Sequence, residues 1–246
     1  MQNVLPQYDA EQYVKYRPVP PEALFSLIYS KLDHLELAWD CGCGNGQAAV
    51  ELAKRFKRVV ATDVSETQIQ QAIKRENIDY HVSAAENTKI MNNSIDLITI
   101  SQALHWFDHV AFEKEVKRVL KNKGVIAAWA YGYPQINGWV DELIVDLSRG
   151  PLDNYWAKGR DYLENQYRDI PFPFEYERYD EFFSEKKFNF SDMMGWLSSW
   201  SSYLKYLKDT GDDILKTIKP DMLAAWGEPA VVKTVKFPIY LLIGKK

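Results

Sequence analysis

The sequence predicts an α/β fold built on a doubly wound, mostly parallel sheet with an antiparallel C-terminal strand. Three observations predict it. The first half of the 246-residue chain alternates short apolar runs with longer amphipathic stretches. Those apolar runs are nearly continuous, as expected of strands covered on both faces. A glycine-rich turn, Asp40-Cys-Gly-Cys-Gly-Asn-Gly46, joins the first run to the first amphipathic stretch.

The elements follow in order. Residues 36–40 read as a strand and residues 47–56 as a helix, with Ala49, Leu52, Ala53 and Phe56 near helical spacing. Residues 58–63 form a second strand. Residues 65–75 form a second helix, where Ser65 and Gln68 have capping-box spacing. Strands at 78–83 and 94–101, a helix at 110–120, a turn at Asn122-Lys-Gly124 and a strand at 125–130 complete the series. Such a chain puts the loops after its strands on one rim, where ligands bind near the reversal of strand order.

The second half has a different texture. Residues 181–190 alternate Phe182, Phe188 and Phe190 with charges and read as a strand. Residues 231–243 give a long strand signal, and Pro238 inside it suggests an edge or a bulge. The stretches 139–162 and 191–222 read as helical, and five of the eight tryptophans fall between Trp139 and Trp226, which makes this the aromatic part of the chain. The simplest organisation is one domain over 1–246. Its ligand-binding core spans 1–132. Helical insertions with the 181–190 strand form a lid over 133–230, and 231–246 supply the last strand of the sheet.

Composition excludes several classes. Hydrophobic residues are 46% and charged residues 26%, enough for a packed core. A net charge of −4 argues against a nucleic-acid partner, which needs a basic face. No apolar run approaches the roughly 18–20 residues of a membrane span, and the polar N-terminus lacks the apolar region of a signal peptide. The only cysteines, Cys41 and Cys43, are too close together on a strand-to-turn segment to form a disulfide readily, so a reduced, cytoplasmic protein is expected. With His105 and His109 they are also the available soft metal ligands. Cys-x-Cys is not the usual zinc spacing, and no metal is expected.

The glycine turn carries the chemistry. Glycines there permit positive φ and let a ligand approach the backbone, and the following helix offers free N–H groups. The third glycine comes one residue earlier than in a dinucleotide fingerprint, with Gln47 in that slot, and no Walker lysine follows. Asp40 would repel a pyrophosphate but suits a ligand bearing an ammonium group. Asp63 ends the second strand, 21 residues after Gly42, where an acid is placed to accept the hydroxyls of a ribose.

Together, Asp40-x-Gly42-x-Gly44-x-Gly46, Asp63, Ala84-Ala-Glu86 and the strand 95–102 resemble the class I S-adenosylmethionine-dependent methyltransferases. Gln102-Ala-Leu-His-Trp-Phe-Asp108 and Tyr13-x-x-Tyr-Arg17-Pro18-x-x-Pro21 are similar to the trans-aconitate methyltransferase-like branch. The resemblance covers about residues 8–132, and matches the rest loosely through 196–203 and the final strand. It implies a Rossmann-like fold, S-adenosylmethionine as cofactor and a small-molecule methyl acceptor. It places Gly42, Gly44 and Gly46 along the methionine and ribose portion, with Asp40 nearby. It puts Asp63 on the ribose hydroxyls, Val64 against the adenine, and Ala85 and Glu86 at the adenine edge. Ser101 and Gln102 face the methionyl end, while Tyr13 and Arg17 close over the cofactor, Arg17 on its carboxylate. One departure is visible: many relatives carry an acid at the position of Ala84, so the adenine amino group must be met by backbone or by Glu86.

His105 and Trp106 follow the fourth strand on the ligand rim. His105 reads as a general base, as a group that orients a substrate carboxylate, or as a structural histidine. A carboxylate acceptor is already ionised at neutral pH and needs no base, so catalysis would be mostly alignment. Trp106, Trp196, Trp200 and Tyr203 read as walls of an acceptor pocket, the last three with lid packing as the alternative. The resulting expectation is methyl transfer to a small molecule, at a carboxylate oxygen. The rivals are an NAD(P)-dependent oxidoreductase and a non-catalytic S-adenosylmethionine-binding protein.

Overall fold

The computed structural model describes residues 16–246. Tyr13 lies outside the described residues. The chain divides into two compact units. One comprises Pro21–Tyr131, Asp161–Phe182 and Ile239–Lys246. The other comprises Gly132–Arg160 and Phe183–Pro238, with the described residues before Pro21. This division groups Asp161–Phe182 with the sheet, in a stretch that sequence alone placed in the lid. Among the described residues no helix is long and apolar enough to cross a membrane.

The first unit opens with α1 (Glu22–Ser30) and then alternates strand and helix. β1 (Leu37–Cys41), α2 (Gln47–Ala53), β2 (Arg58–Asp63), α3 (Glu66–Gln70), β3 (Ile78–Val82) and β4 (Ile95–Ser101) follow. Next come a single 3-10 turn (Leu104–Trp106), α4 (His109–Val119) and β5 (Leu120–Tyr131). Two long strands complete the sheet, β6 (Tyr176–Phe188) and β7 (Lys233–Lys245), each continuing into the other unit. The strand order is β3-β2-β1-β4-β5-β7-β6. β1 pairs in parallel with both β2 and β4, β5 is parallel to β4, and β7 runs antiparallel to β5. The order therefore reverses beside β1, and the loops after β1 and β4 sit at that reversal.

The pleat sorts the strand residues into two apolar layers. Ala38, Val59, Leu97, Val125, Ala127 and Trp129 pack with Leu24, Phe25, Ala49 and Leu52 of α1 and α2. The alternate positions Trp39, Ile98, Ile100, Ile126, Ala128 and Ala130 pack with Phe112, Val116 and Val119 of α4. Both faces are covered, which is why the strands read as continuous apolar runs.

Several boundaries differ from the sequence expectations, and each has a local cause. α2 stops at Ala53, short of 56, because the Asn77 side chain donates to the carbonyls of Ala53 and Phe56. α3 ends at Gln70, short of 75, and the Ile73 N–H turns to the Asn45 carbonyl in the glycine turn. Ser65 caps α3 by accepting from Gln68 N, but its own N–H goes to Asp63 Oδ1, so the box is half formed. The turn at 122–124 is absorbed into β5, where Lys123 adopts φ 64° and the β4 register shifts. β6 begins at Tyr176, five residues before the expected start at 181. Pro238 is not on an edge strand, since β7 lies between β5 and β6. It sits at a bulge instead: Gly132 N donates to Pro238 O, and Gln135 then pairs with Lys236, one residue out of step.

The second unit is helical and aromatic. It holds α5 (Gly138–Arg149), capped by Asn137, and α7 (Phe190–Ser198), with an Asn189–Asp192 capping box. It also holds α8 (Ser201–Thr210), closed by left-handed Gly211, and α9 (Ile214–Trp226). The short α6 (Arg160–Glu164) begins at its last residue in that stretch. The expected helical span 191–222 is thus three helices.

Candidate active site

The glycine turn is built by β1, β2 and the start of α2. Thr62 O accepts from both Gly42 N and Cys43 N, at 2.8 and 2.9 Å, which clips the turn to β2. Gly42 and Gly46 both have positive φ, and a Cβ on either would strike the protein itself: Ala103 Cβ at 2.6 Å for Gly42, Tyr80 Oη at 2.1 Å for Gly46. Gly44 differs. At φ 53° its nearest neighbour to an added Cβ is Gln68 Oε1 at 3.8 Å, so its bare face is open.

Two acids flank the turn. The Asp63 carboxylate is fixed by backbone donors on both oxygens, Ser65 N on Oδ1 and Gly44 N on Oδ2, each at 2.8 Å. Each oxygen keeps lone-pair capacity for a further donor. Asp40 is fully buried. Its Oδ1 accepts from the Thr99 hydroxyl at 2.8 Å, while Oδ2 has no partner at normal hydrogen-bond geometry. Burial pushes its pKa up to about 7, with the nearby Asp63 charge adding to the rise and Thr99 and the Ala49 N–H opposing it. Cys41 and Cys43 are free and buried, and burial pushes both thiols up, so they are inert fillers of the turn. Among the described residues no group of three or more His, Cys, Asp or Glu is placed to hold a metal ion.

The loops after β2, β3 and β4 supply the rest. Val64 is 62% exposed directly after Asp63. Ala85 is buried, Ala84 is exposed, and Glu86 Oε1 accepts from Asp108 N at the start of α4. Ser101 ends β4, and Gln102 takes a left-handed φ of 54°. The Gln102 backbone and side chain both tie to β5, through Trp129 O and Tyr131 N. Ala103 then abuts Gly42, which brings the His105–Trp106 segment to the wall of the glycine turn. His105 is buried, with Nδ1 2.8 Å from the Tyr167 hydroxyl. Trp106 lies beside it, ring centroids 5.1 Å apart, and is 36% exposed.

In the second unit, Arg17 Nη2 donates to Ser199 O. Trp196, Trp200 and Tyr203 are all buried there. Trp200 packs against Trp156 and Trp196, and Tyr203 donates to Asp213. The site also contains residues that sequence reasoning passed over: Thr99 under Asp40, Tyr80 against Gly46 and Tyr167 on His105. None carries a motif, because each reaches its partner across strands or loops.

Residues 39–128 match a family described as a methyltransferase domain. A Dictyostelium discoideum protein assigned as a methyltransferase is 37% identical over 245 residues, covering 96% of this chain and 93% of that protein. A Saccharomyces cerevisiae protein assigned as an S-adenosylmethionine-dependent methyltransferase is 27% identical, and the match covers 66% of this chain and 58% of the yeast protein. The structure of an Anaeromyxobacter dehalogenans protein assigned as a type II methyltransferase superposes with a TM-score of 0.84 at 36% identity, covering 94% of this chain and 98% of that one. These matches set aside the nicotinamide alternative that the glycine spacing already disfavoured. The chain is an enzyme of the class I S-adenosylmethionine-dependent methyltransferase family, and S-adenosylmethionine is its cofactor.

Proposed function

We propose that the protein methylates a carboxylate oxygen of a small molecule, in a reducing, cytoplasmic setting that suits its two free thiols. The residues fit the cofactor. The open face of Gly44 leaves the space a Cβ would fill. Asp63 is held with both oxygens ready for two hydroxyls, and Asp40 offers a buried oxygen that lacks a normal partner to an ammonium-bearing ligand. When bound, S-adenosylmethionine supplies a methyl group on a positively charged sulfur. The chain does the rest by binding and alignment. Gly42, Gly44 and Gly46 cradle the methionine and ribose portion, Asp63 takes the ribose hydroxyls, and Val64, Ala85 and Glu86 border the adenine. Ser101 and Gln102, locked to β5, fix the methionyl end.

The observation that carries the acceptor assignment is the His105–Trp106 pair against the glycine turn. An imidazole beside a partly exposed indole suits a small anion with an apolar body. Calorimetry with S-adenosylmethionine, followed by product analysis with a panel of carboxylic acids, tests the reading. Methyl esters and S-adenosylhomocysteine in equal amounts are the expected outcome. Methylation of amines or phenols, with every acid inert, would overturn it. Asp63→Ala is expected to weaken cofactor binding at least about tenfold, as for loss of charge-assisted hydrogen bonds.

A further inference from the structure

We propose that Gln68 is a cofactor-specificity residue: its side-chain amide donates a hydrogen bond to the ribose diol of S-adenosylmethionine, while Asp63 takes the protons of that diol. The inference rests on the placement of the ribose at Asp63 made above. It is independent of which acceptor receives the methyl group.

Residue type and spacing set Gln68 up for a different job. It stands three residues after Ser65, where the side chain of a capping box would accept from Ser65 N. That N–H is taken instead by Asp63 Oδ1, at 2.8 Å. Ser65 Oγ still caps α3 by accepting from Gln68 N at 3.3 Å, so the Gln68 backbone is engaged while its amide is released. Helical side chains lean toward the N-terminal end of their helix, which carries the amide back toward the end of β2. It arrives over the glycine turn. Gln68 Oε1 lies 3.8 Å from where a Cβ on Gly44 would stand, and Gly44 N is bonded to Asp63 Oδ2. The residue is half-buried, and among the described residues no hydrogen bond engages its amide.

Such an amide supplies what Asp63 lacks. An ionised carboxylate accepts hydrogen bonds and donates none. Asp63 takes Ser65 N on one oxygen and Gly44 N on the other, and both oxygens keep room for a further donor. A diol that gives its two protons to Asp63 still carries acceptor lone pairs on both hydroxyl oxygens. Left without a donor in a site shut off from water, those lone pairs weaken binding. The N–H groups of the turn are largely committed: Gly42 N and Cys43 N go to Thr62 O, Gly44 N to Asp63 and Gly46 N to Cys43 O. Gln68 brings an NH2 group to the same face. A half-turn about its last side-chain bond exchanges Oε1 with Nε2, and that torsion is soft, so the donor end is available to the ribose.

Acceptor and donor together read a diol. The carboxylate comes from the end of β2 and the amide from the first turn of α3, so the two approach from different elements. A nucleoside lacking one hydroxyl leaves a lone pair of Asp63 or an N–H of Gln68 unfilled, and the ribo form is preferred. The neutral amide suits the task better than a cation would. A lysine at this position would also donate, but it would pair with Asp63 and compete with the diol for the same oxygens. An amide donates and leaves the acceptor its charge.

Calorimetric titration of wild type, Gln68→Met and Gln68→Glu with S-adenosylhomocysteine, and with its 2′-deoxy and 3′-deoxy analogues, tests the assignment. Methionine keeps the length and unbranched shape of the side chain and removes the amide. Gln68→Met is expected to bind S-adenosylhomocysteine about tenfold more weakly, the loss of one hydrogen bond. It should bind one of the two deoxy analogues as well as wild type does, because the partner of the amide is then already missing. Its melting temperature should match wild type, since the amide holds nothing within the protein. Gln68→Glu should fall further, because a second carboxylate has no proton to give the diol and repels Asp63. Unchanged affinity in Gln68→Met, an equal loss for S-adenosylhomocysteine and both analogues, or wild-type affinity in Gln68→Glu overturns the proposal. Asp63→Ala separates the two readings. If it weakens binding and Gln68→Met does not, the ribose stays at Asp63 and Gln68 has no part in holding it. If Asp63→Ala itself binds normally, the ribose placement falls and this inference falls with it.

Discussion

Two buried acids sit at opposite ends of neighbouring parallel strands, and they are treated very differently. Asp96, at the start of β4, takes Glu36 N and Leu37 N on one oxygen and Lys121 Nζ on the other, at 3.1, 2.9 and 2.7 Å. Asp40, near the end of β1, has the Thr99 hydroxyl on one oxygen and no normal partner on the other. The first acid joins strands and helix-distal loops into a settled structure. The second is left electrostatically incomplete beneath the glycine turn. A parallel sheet concentrates its ligand site at the carboxyl ends of its strands, and here the carboxyl with an unpartnered oxygen is found at that end. On the proposed reading, the fold tolerates an incompletely paired carboxyl where a cationic ligand can complete it, and pairs one fully where no ligand comes.

The largest expected effect tests that contrast through pH. Asp40 holds its proton in the folded state up to about 7, against 3.8 for an ordinary carboxyl. Between those values the folded protein binds more protons than the unfolded chain. Stability from this group is therefore greatest below the lower value, falls as pH rises toward 7, and is level above it. The loss is at most about 4 kcal/mol for a shift of this size. Urea melts across that range should show the slope in wild type and its absence in Asp40→Asn; parallel slopes would remove the contrast.

Asp96→Ala should lower stability by about 3 kcal/mol, because it strands two backbone donors and a lysine. Lys121 is partly exposed, which keeps the figure below that of a fully buried pair. Cofactor affinity measured on the folded variant should not change. Next in size, Gly46→Ala should cost about 2–3 kcal/mol, combining left-handed strain with the clash on Tyr80. Gly44→Ala meets no clash and should cost only about 1 kcal/mol in folding. Its new methyl group enters the open face, so its cofactor affinity should fall more steeply than its stability. A Gly44→Ala variant with intact affinity would show that the open face is not where the cofactor lies. The smallest effect is a gain: Gln166→Gly should stabilise by about 0.5–1 kcal/mol in thermal melts by relieving a left-handed glutamine.

The sheet was legible because its strands are covered on both sides. Residues 58–63 and 94–101 read as strands from their apolar runs alone, and the structure places β2 at Arg58–Asp63 and β4 at Ile95–Ser101. Helix ends were not legible, since Asn77 and Asn45 end α2 and α3 from outside those helices. β6 was read short because Glu177, Arg178 and Asp180 break the apolar alternation at its start. In the site, Gly42, Gly44, Gly46 and Asp63 were legible because a fixed loop length ties their spacing to one geometry. Tyr167 was not: it lies 62 residues from His105, in a stretch with no periodicity, and its place beside His105 depends on a backbone conformation that its residue type disfavours.

The position of β7 has a consequence for how the protein is made. It is the last strand in chain order, yet it lies inside the sheet, between β5 and β6. During synthesis, β5 is finished more than a hundred residues before its antiparallel neighbour exists. Until residues 233–245 emerge, the nascent sheet carries an open apolar edge along β5, the kind that recruits foreign strands. A pairing of such long sequence separation also forms slowly. Chains released before that strand is made would therefore be aggregation-prone, and holding by chaperones would matter most until it emerges.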